Sequence, residues 1–230
     1  MGKQAATKVR AGAEGTGAAG KVFSAAPTLR LVSSPKRQRI LEGMLEAVGN
    51  SGYDAASVRM VLDNTGLYRQ AFYDEFAGKD DCYLEALGFG AAKLEAIAVE
   101  AAAPEDGWRA QLRAGISAVL GALEEDPASG RALIVEVHAA GPEALSIRTE
   151  AMKRLTGFID SARNSASVTE APPPIAAEGI VAGMHAVVHA KLAAGEDSGF
   201  RQLLPDFMYF ATLPYFGPEA ADAEMKAARA

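Results

Sequence analysis

The sequence contains little cysteine and few long apolar runs. A single cysteine, Cys82, in 230 residues excludes an internal disulfide and a cysteine-based zinc cluster, and it favours a reducing cytoplasm. Apolar runs fall short of the roughly 20 residues that cross a bilayer. The N-terminus lacks the apolar core of a signal peptide, and Ala6 stands where a myristoylation signal has a hydroxyl residue. We expect a soluble, cytoplasmic protein with no membrane partner.

Aromatic residues are also scarce, and the common catalytic motifs are missing. Aromatics make up 7% of the chain, whereas an Ala-rich hydrophobic content of 49% favours helices and suffices for a core. The expected fold class is all-α. The sequence has no phosphate loop, no dinucleotide-binding glycine fingerprint and no GxSxG elbow, so we expect neither enzymatic activity nor a cofactor. An all-α enzyme whose site assembles from distant residues stays open as an alternative.

Two histidines have a spacing that could hold a metal ion. His185 and His189 are four residues apart in IVAGMHAVVHAKL, so they share one face of a helix. No glutamate adjoins His185 to make an HExxH motif, no cysteine is near, and the surrounding residues are small and apolar. We therefore predict a packed histidine pair and no metal site.

The segment 57–79 predicts two short helices that meet at a glycine. The first begins at an N-cap serine, Ser57, and ends before Gly66, which readily adopts a positive φ. The second begins at Tyr68 or Arg69, and the phenylalanines on its inner side are four residues apart. Two helices joined by a glycine turn, with a polar and aromatic outer face on the second, form the helix-turn-helix arrangement.

The outer face of the second helix predicts contact with double-stranded DNA. Arg and Gln suit purine edges in the major groove, and Tyr and Lys suit phosphates. A helix start such as the one at Lys79 also presents amides to anions. The alternative is a plain helical corner with a solvated face. The predicted base-reading residues are Arg69, Gln70 and Tyr73, adjoined by Tyr68, and the predicted phosphate contacts are Lys79, Ser57 and Arg37.

The wider segment 37–87 resembles the DNA-binding domain of TetR-family transcription regulators. Two positions depart from the family pattern: Tyr68 replaces a small hydroxyl residue that usually caps the recognition helix, and Gln70 replaces a common glycine. Family base preferences are therefore not transferred to this chain. The matching features are a first helix ending in SGY, the Ser57-Val58 helix start, the Gly66-Leu67 turn, the Phe72-Tyr73 pair, Phe76, and Lys79 before an acidic helix start.

This resemblance implies a three-helix DNA-binding head on a larger helical body for ligand binding and dimerisation. The implied function is a ligand-responsive transcription regulator, a repressor, that binds a palindromic operator as a homodimer. The charge distribution agrees: residues 1–79 carry a net charge of +4 and the remainder −10, as expected for a DNA-reading head on an acidic body. A helical protein-interaction module without DNA binding is the alternative.

The chain is expected to divide into four parts. These are a disordered basic arm (1–34), the helix-turn-helix domain (35–79), the helical body (80–217) and a fraying tail (218–230). The helix that starts at Asp80 is the only covalent link between head and body, so we expect it to transmit any signal from the body. The expected helices of the body cover 80–103, 108–124, 126–138, 142–164, 175–194 and 200–216.

The body is expected to hold both a dimer interface and a ligand pocket. The last two helices are apolar on more than one side, which predicts a four-helix bundle with a second subunit. The middle helices mix large aromatics with Ala and Gly, which leaves room for a small hydrophobic or amphipathic effector. The alternative is that these residues fill a solid core. The predicted pocket residues are Trp108, Leu112, Ile134, His138, Met152, Phe158, Met184 and His185.

Overall fold

The computed structural model describes residues 34–168 and 170–229, and this part of the chain is helical with no strand. The expected basic arm therefore lies, except for Ser34, outside the described residues. Short 3-10 turns cover Glu136–His138, Ser161–Asn164 and Arg201–Leu203. The α-helices of the described part are α1 (Pro35–Ser51), α2 (Val58–Thr65), α3 (Arg69–Tyr73), α4 (Lys79–Ala102), α5 (Trp108–Glu125), α6 (Pro127–Ile134), α7 (Pro142–Asp160), α8 (Ile175–Ala193) and α9 (Leu204–Ala227).

The caps of the first two helices follow from local sequence. The hydroxyl of Ser34 accepts a hydrogen bond from the Arg37 amide at 3.1 Å, and that of Ser57 accepts one from the Met60 amide at 3.4 Å. Gly66 adopts φ 66° and closes α2, which is the left-handed conformation that glycine tolerates best. The predicted helix, glycine turn and second helix are confirmed.

Helix α3 is shorter than predicted, because it ends at Tyr73 and not near Gly78. Side chains from other helices form hydrogen bonds with the backbone groups of the residues that follow α3. Arg37 donates to the Glu75 carbonyl at 3.0 Å, and the Ala77 amide donates to the Asp81 carboxylate at 2.9 Å. These bonds replace those of a further helical turn.

The core of the head extends into the body. Apolar side chains of α1 to α3 pack with Tyr83 and Leu87 of α4 and with Ala132 and Val137 around the end of α6. The fully buried Tyr83 hydroxyl donates to the Ala132 carbonyl at 2.6 Å, and burial raises the pKa of this phenol. The three-helix head therefore shares one core with the start of the body.

Helix α6 packs along α1 and forms a second connection between head and body. The Arg131 guanidinium donates to the Gly49 carbonyl at 2.9 Å, and the Tyr53 amide donates to the Glu136 carboxylate at 2.8 Å. The expectation that α4 alone transmits a signal was therefore incomplete, because α6 touches the head directly.

Helix α8 corrects the expectation that no segment reaches membrane-spanning length. Its 19 residues are long and apolar enough to cross a membrane by length and composition. One side of the helix nevertheless packs in the core of the body, through Ile180, Met184, Val188 and Leu192. We interpret α8 as a core helix of the body whose other side is also apolar.

The C-terminal segment, expected to fray beyond residue 217, continues as helix to Ala227. Gly217, with φ 79° and ψ 176°, breaks the helix ahead of Pro218, next to the expected end at residue 216, and a second helical stretch follows. Beyond the kink, Ala221 is fully buried, and the Glu224 carboxylate pairs with Arg113 at 2.5 Å and Arg109 at 3.4 Å. These contacts to α5 hold the last turns of α9 against the body.

Candidate nucleic-acid interface and ligand cavity

The outer face of α3 presents the three predicted base-reading residues, Arg69, Gln70 and Tyr73, and Tyr68 adjoins them at the N-cap. Tyr68 is 86% exposed and Tyr73 43% exposed, and Arg69 and Gln70 beside them are also exposed. The Arg69 guanidinium lies 5.4 Å from the centre of the Tyr73 ring. It forms no ion pair with a carboxylate of the described chain. An unneutralised, aromatic-supported guanidinium at this position suits a guanine edge or a phosphate.

Gln70 and Ser57 each have one local contact. The Gln70 amide nitrogen donates to the Asp74 carboxylate at 2.8 Å, which leaves its second N–H and its oxygen for a bidentate bond to adenine. The Ser57 hydroxyl accepts from the Met60 amide, which leaves its own O–H available as a donor. Both side chains therefore keep a donor for nucleic acid, but neither is entirely free.

Lys79 lies at the first residue of α4, where it also holds the corner between α1 and α2. Its ammonium donates to the Tyr53 carbonyl at 2.9 Å and lies 4.3 Å from the centre of the Tyr53 ring. The Tyr53 hydroxyl donates to Asp80 at 2.7 Å. Burial, followed by this bond to Asp80, raises the pKa of Tyr53 to about 12. An ammonium has three N–H donors, so Lys79 retains donors for a phosphate.

Arg37, predicted to contact phosphate, is instead bound inside the head. Its guanidinium bonds the Glu85 carboxylate at 2.8 and 2.5 Å and the Glu75 carboxylate at 3.0 Å, and it lies 4.3 Å from the centre of the Phe76 ring. The bond to Glu85 is the largest cause that raises the pKa of Arg37. Bonds from Lys36 and then Arg37 lower the pKa of Glu75. Arg37 thus ties α1 both to the segment between α3 and α4, through Glu75, and to α4, through Glu85.

The positive charge of the N-terminal third is not located in the described head. Residues 34–79 contain six Lys or Arg and six Asp or Glu, so the net charge of +4 belongs entirely to residues 1–33. The net charge of residues 1–79 combined the arm with the head and so did not show that the head is neutral. The net positive charge that attracts DNA would therefore come from the segment before α1, and the described head adds local cations such as Arg69 and Lys79.

A cavity of about 350 Å³ lies among α4, α5, α7 and α8. Its walls are mainly aliphatic. Six of the eight predicted pocket residues line it: Leu112, Ile134, Met152, Phe158, Met184 and His185.

The other two predicted pocket residues, Trp108 and His138, lie outside the walls of this cavity. Trp108 is buried in the adjacent core, where it packs on Phe158, Tyr215 and Phe216 and donates from its indole nitrogen to the Phe158 carbonyl at 3.1 Å. His138 is exposed because the 3-10 turn at the end of α6 directs it outward, edge-on to the ring of His189 at 5.5 Å.

Sequence analysis missed the contribution of α4 to the cavity. Leu87, Ala91, Leu94 and Ala98 recur at intervals of three or four residues along this helix and line the cavity. Small residues allow the helices to approach, since a β-carbon at Gly115 of α5 would lie 3.4 Å from the Ala98 carbonyl oxygen. The periodic Leu and Ala of α4 were the available signal. The helix that leads from the head is thus also a wall of the cavity.

Two arginines of α7 reach the cavity and differ in their partners. Arg154 forms an ion pair with Glu95 of α4 at 2.8 Å. Arg148 lies against the ring of His185, with its nitrogens 3.3 and 3.4 Å from the two ring nitrogens, and forms no ion pair within the described chain. Burial, followed by the charge of Arg148 and the neighbouring His189 and His138, lowers the pKa of His185 to about 4. His185 is therefore neutral at pH 7.

No protein-family model matches this sequence, and no curated protein matches it. Solved structures, in contrast, share its fold. The fatty acid degradation regulator FadR from Bacillus halodurans aligns with a TM-score of 0.69 at 12% identity, over 79% of this chain and 96% of that one. The transcriptional regulator FadR from Bacillus subtilis, in complex with stearoyl-CoA, aligns with a TM-score of 0.66 at 15% identity, over 78% and 98%.

A TetR-family transcription regulator from Marinobacter aquaeolei VT8 also aligns, with a TM-score of 0.57 at 18% identity, over 84% of this chain and 93% of that one. These identities are low, so the likeness is one of fold. The all-α fold class, with a helix-turn-helix head on a larger helical body, is confirmed.

Proposed function

We propose that this chain is a cytoplasmic transcription regulator that binds a palindromic operator as a homodimer and loses affinity for it when a small molecule enters the body. The observation that carries the proposal is the outer face of α3. Four side chains suited to base edges and phosphates lie together there, and the Arg69 guanidinium has no carboxylate partner in the described chain. The fold shared with solved transcription regulators supports this use of the face.

The apolar surface of the last two helices supports the homodimer. Val187 of α8 is 42% exposed and Phe210 of α9 is 45% exposed. A β-carbon at Gly183 would lie 3.1 Å from the Phe210 ring, so the two helices meet closely beneath this surface. Large apolar side chains exposed on two packed helices are typical of a surface that a partner covers. A two-fold dimer would set two heads against two half-sites.

The cavity and its walls support a response to a small hydrophobic or amphipathic effector. Helix α4 lines the cavity with Leu87, Ala91 and Leu94 and begins at Lys79 beneath the head. Helix α6 touches both the cavity, through Leu133 and Ile134, and α1. A ligand that favours one position of these helices changes the spacing of the two heads. The stearoyl-CoA complex of the Bacillus subtilis regulator is a precedent for an acyl ligand on this fold.

The proposal is tested by selecting DNA duplexes that the protein binds from a random pool. Fluorescence anisotropy titrations then measure the affinity for the selected duplex at several salt concentrations. The wild type should enrich a palindrome and bind it more weakly as salt rises, because phosphate contacts release counterions. Arg69→Ala should weaken binding by about 1–3 kcal/mol and relax the preference at one position. The control is Lys153→Ala, which removes an exposed cation of the body that pairs with Glu150.

No enrichment and no salt-dependent binding would contradict the proposal and favour a helical protein-interaction module. Unchanged affinity and preference in Arg69→Ala, with the fold intact, would refute the assignment of α3. Turnover of a substrate would instead point to an enzyme.

A further inference from the structure

We infer that the cavity binds a medium-chain carboxylate, that its charged group pairs with Arg148, and that the coenzyme A thioester of the same acid is a poorer ligand. This inference names the ligand class of the proposed effector site and so rests on the proposed function. The evidence is the charge, the volume and the lining of the cavity.

The charge of Arg148 is uncompensated. Its guanidinium is half-buried at the cavity wall, and the described chain offers it no carboxylate within 4.0 Å. Among the described side chains, its one hydrogen-bond partner is His185, which is neutral at pH 7. A partly buried guanidinium without an anion is unfavourable, and a ligand carboxylate would supply two acceptors in the geometry that the guanidinium fork fits.

Arg154 is a natural comparison within the same cavity. It projects from the same helix, six residues further on, but Glu95 already neutralises it at 2.8 Å. The cavity thus holds one unsatisfied positive charge among aliphatic side chains, including Leu94, Ile116 and Met152. One cation at the wall of an apolar space matches a ligand with a single anionic end and an alkyl tail.

The volume of the cavity sets the expected length of the ligand. At roughly 30 Å³ for a water-sized group, about 350 Å³ corresponds to about a dozen methylene-sized groups. Decanoate, with ten carbons and two oxygens, is of this size. The cavity is partly open to solvent, so the extra carbons of a longer chain would lie outside its apolar walls and gain less from burial.

The charge of the body argues against coenzyme A. That group carries several phosphate charges, whereas residues 80–230 have a net charge of −10. Of the two arginines that line the cavity, only Arg148 is free of a carboxylate partner in the described chain. Repulsion by the acidic body would oppose a polyanion more strongly than a monoanion. The free acid is therefore the expected ligand.

The inference is tested by ligand titrations that are monitored through the fluorescence of Trp108. This residue is the one tryptophan of the chain. Its ring stacks 6.2 Å from Phe158, a residue of the cavity wall. Decanoate, decanol and decanoyl-coenzyme A are compared at pH 7, with calorimetry as a second readout. Decanoate should bind most tightly. Arg148→Met, which keeps an unbranched side chain, should lower the affinity for decanoate roughly tenfold or more and leave the affinity for decanol unchanged. Arg148→Lys should restore part of the lost affinity.

Lys153→Met is the matched control, since it removes a cation of the same helix that pairs with the exposed Glu150. Thermal melts establish that each variant folds. Equal affinity for decanoate and decanol, no loss in Arg148→Met, or tighter binding of decanoyl-coenzyme A would each overturn the inference. Operator binding is measured separately. Operator binding without any decanoate binding refutes the inference alone, whereas decanoate binding with no effect on operator affinity refutes only the proposed effector role.

Discussion

Gly49 of α1 and Ala128 of α6 meet backbone to backbone, so a β-carbon on residue 49 would lie 1.8 Å from the Ala128 carbonyl oxygen. This is the closest approach between the head and the body among the glycines of the described chain. Only glycine fits there without movement of main-chain atoms. The bond from Arg131 to the Gly49 carbonyl fixes the same contact.

Gly49→Ala should therefore destabilise the protein and separate α6 from α1. We expect a loss of about 1–3 kcal/mol in the free energy of unfolding, since backbone has to shift to admit the methyl group. Urea denaturation measures the loss. Gly88→Ala is the control: it lies in the exposed middle of α4 with no neighbouring atom within 4 Å, so it should gain about 0.5–1 kcal/mol. Equal stability of Gly49→Ala and wild type would disprove the close contact.

Phe210→Asp should convert the proposed dimer into monomers. A charge in the middle of an apolar interface is costly to desolvate, and Phe210 is 45% exposed on the surface that the last two helices share. Analytical ultracentrifugation at micromolar concentration measures the mass. Met60→Asp, at another exposed apolar residue on α2, should leave the mass unchanged. A wild-type monomer, or a dimeric Phe210→Asp, would rule out this interface.

Glu224→Gln should weaken the attachment of the C-terminal turns of α9. The carboxylate is largely buried and pairs with Arg113 at 2.5 Å and Arg109 at 3.4 Å. These arginines are partly exposed, so we expect a loss of about 1–2 kcal/mol, less than for a fully buried pair. Hydrogen exchange of residues 218–227 should rise in the variant. Glu219→Gln, which is exposed on the same segment, should change neither quantity.

Acid should destabilise the protein in part through His185. Its pKa is near 4 in the folded chain and about 6.5 when unfolded, so the unfolded chain binds the proton more readily. The stabilisation from a neutral His185 is complete above pH 6.5 and is lost as the pH falls towards 4. The groups that face the ring are Arg148 on α7, His189 on α8 and His138 after α6.

His185→Phe should accordingly reduce the fall in stability between pH 7 and pH 4. The reduction should be about 2 kcal/mol, after allowance for partial exposure of the ring. Urea denaturation across this range measures it, and His138→Gln is the control for the loss of an exposed histidine. An unchanged pH dependence in His185→Phe would show that burial of His185 does not disfavour its charged form.

Features set by neighbouring residues were predictable from the sequence. Ser57, Gly66 and Pro127 mark helix ends because caps and turns depend on a few adjacent residues, and the fold class followed from composition. The helix end at Gly217-Pro218 was predicted, but the helical stretch that follows it to Ala227 was not. What holds α9 in place is the pairing of Glu224 with Arg113, across 111 positions of sequence.

The binding surfaces were predicted less completely for the same reason. Arg37 has the residue type of a phosphate contact, and only the folded head shows that Glu75 and Glu85 enclose it. The cavity residues on α5, α7 and α8 were found by composition, whereas those on α4 depend on which face of that helix turns inward. Long-range pairing of side chains is not readable from a single sequence.

In the proposed function, the shortness of α3 limits how many base pairs this helix can distinguish. Five helical residues extend about 7.5 Å, which is about two base-pair steps of 3.4 Å. Two heads would then contact about four to six base pairs directly. A given sequence of six base pairs occurs by chance about once in 4,000 positions, whereas a genome offers 10⁶ or more competing positions. A binding site of this length therefore occurs at hundreds of positions in such a genome. The remaining discrimination has to come from the flexibility of the DNA between the half-sites and from the basic residues that precede α1.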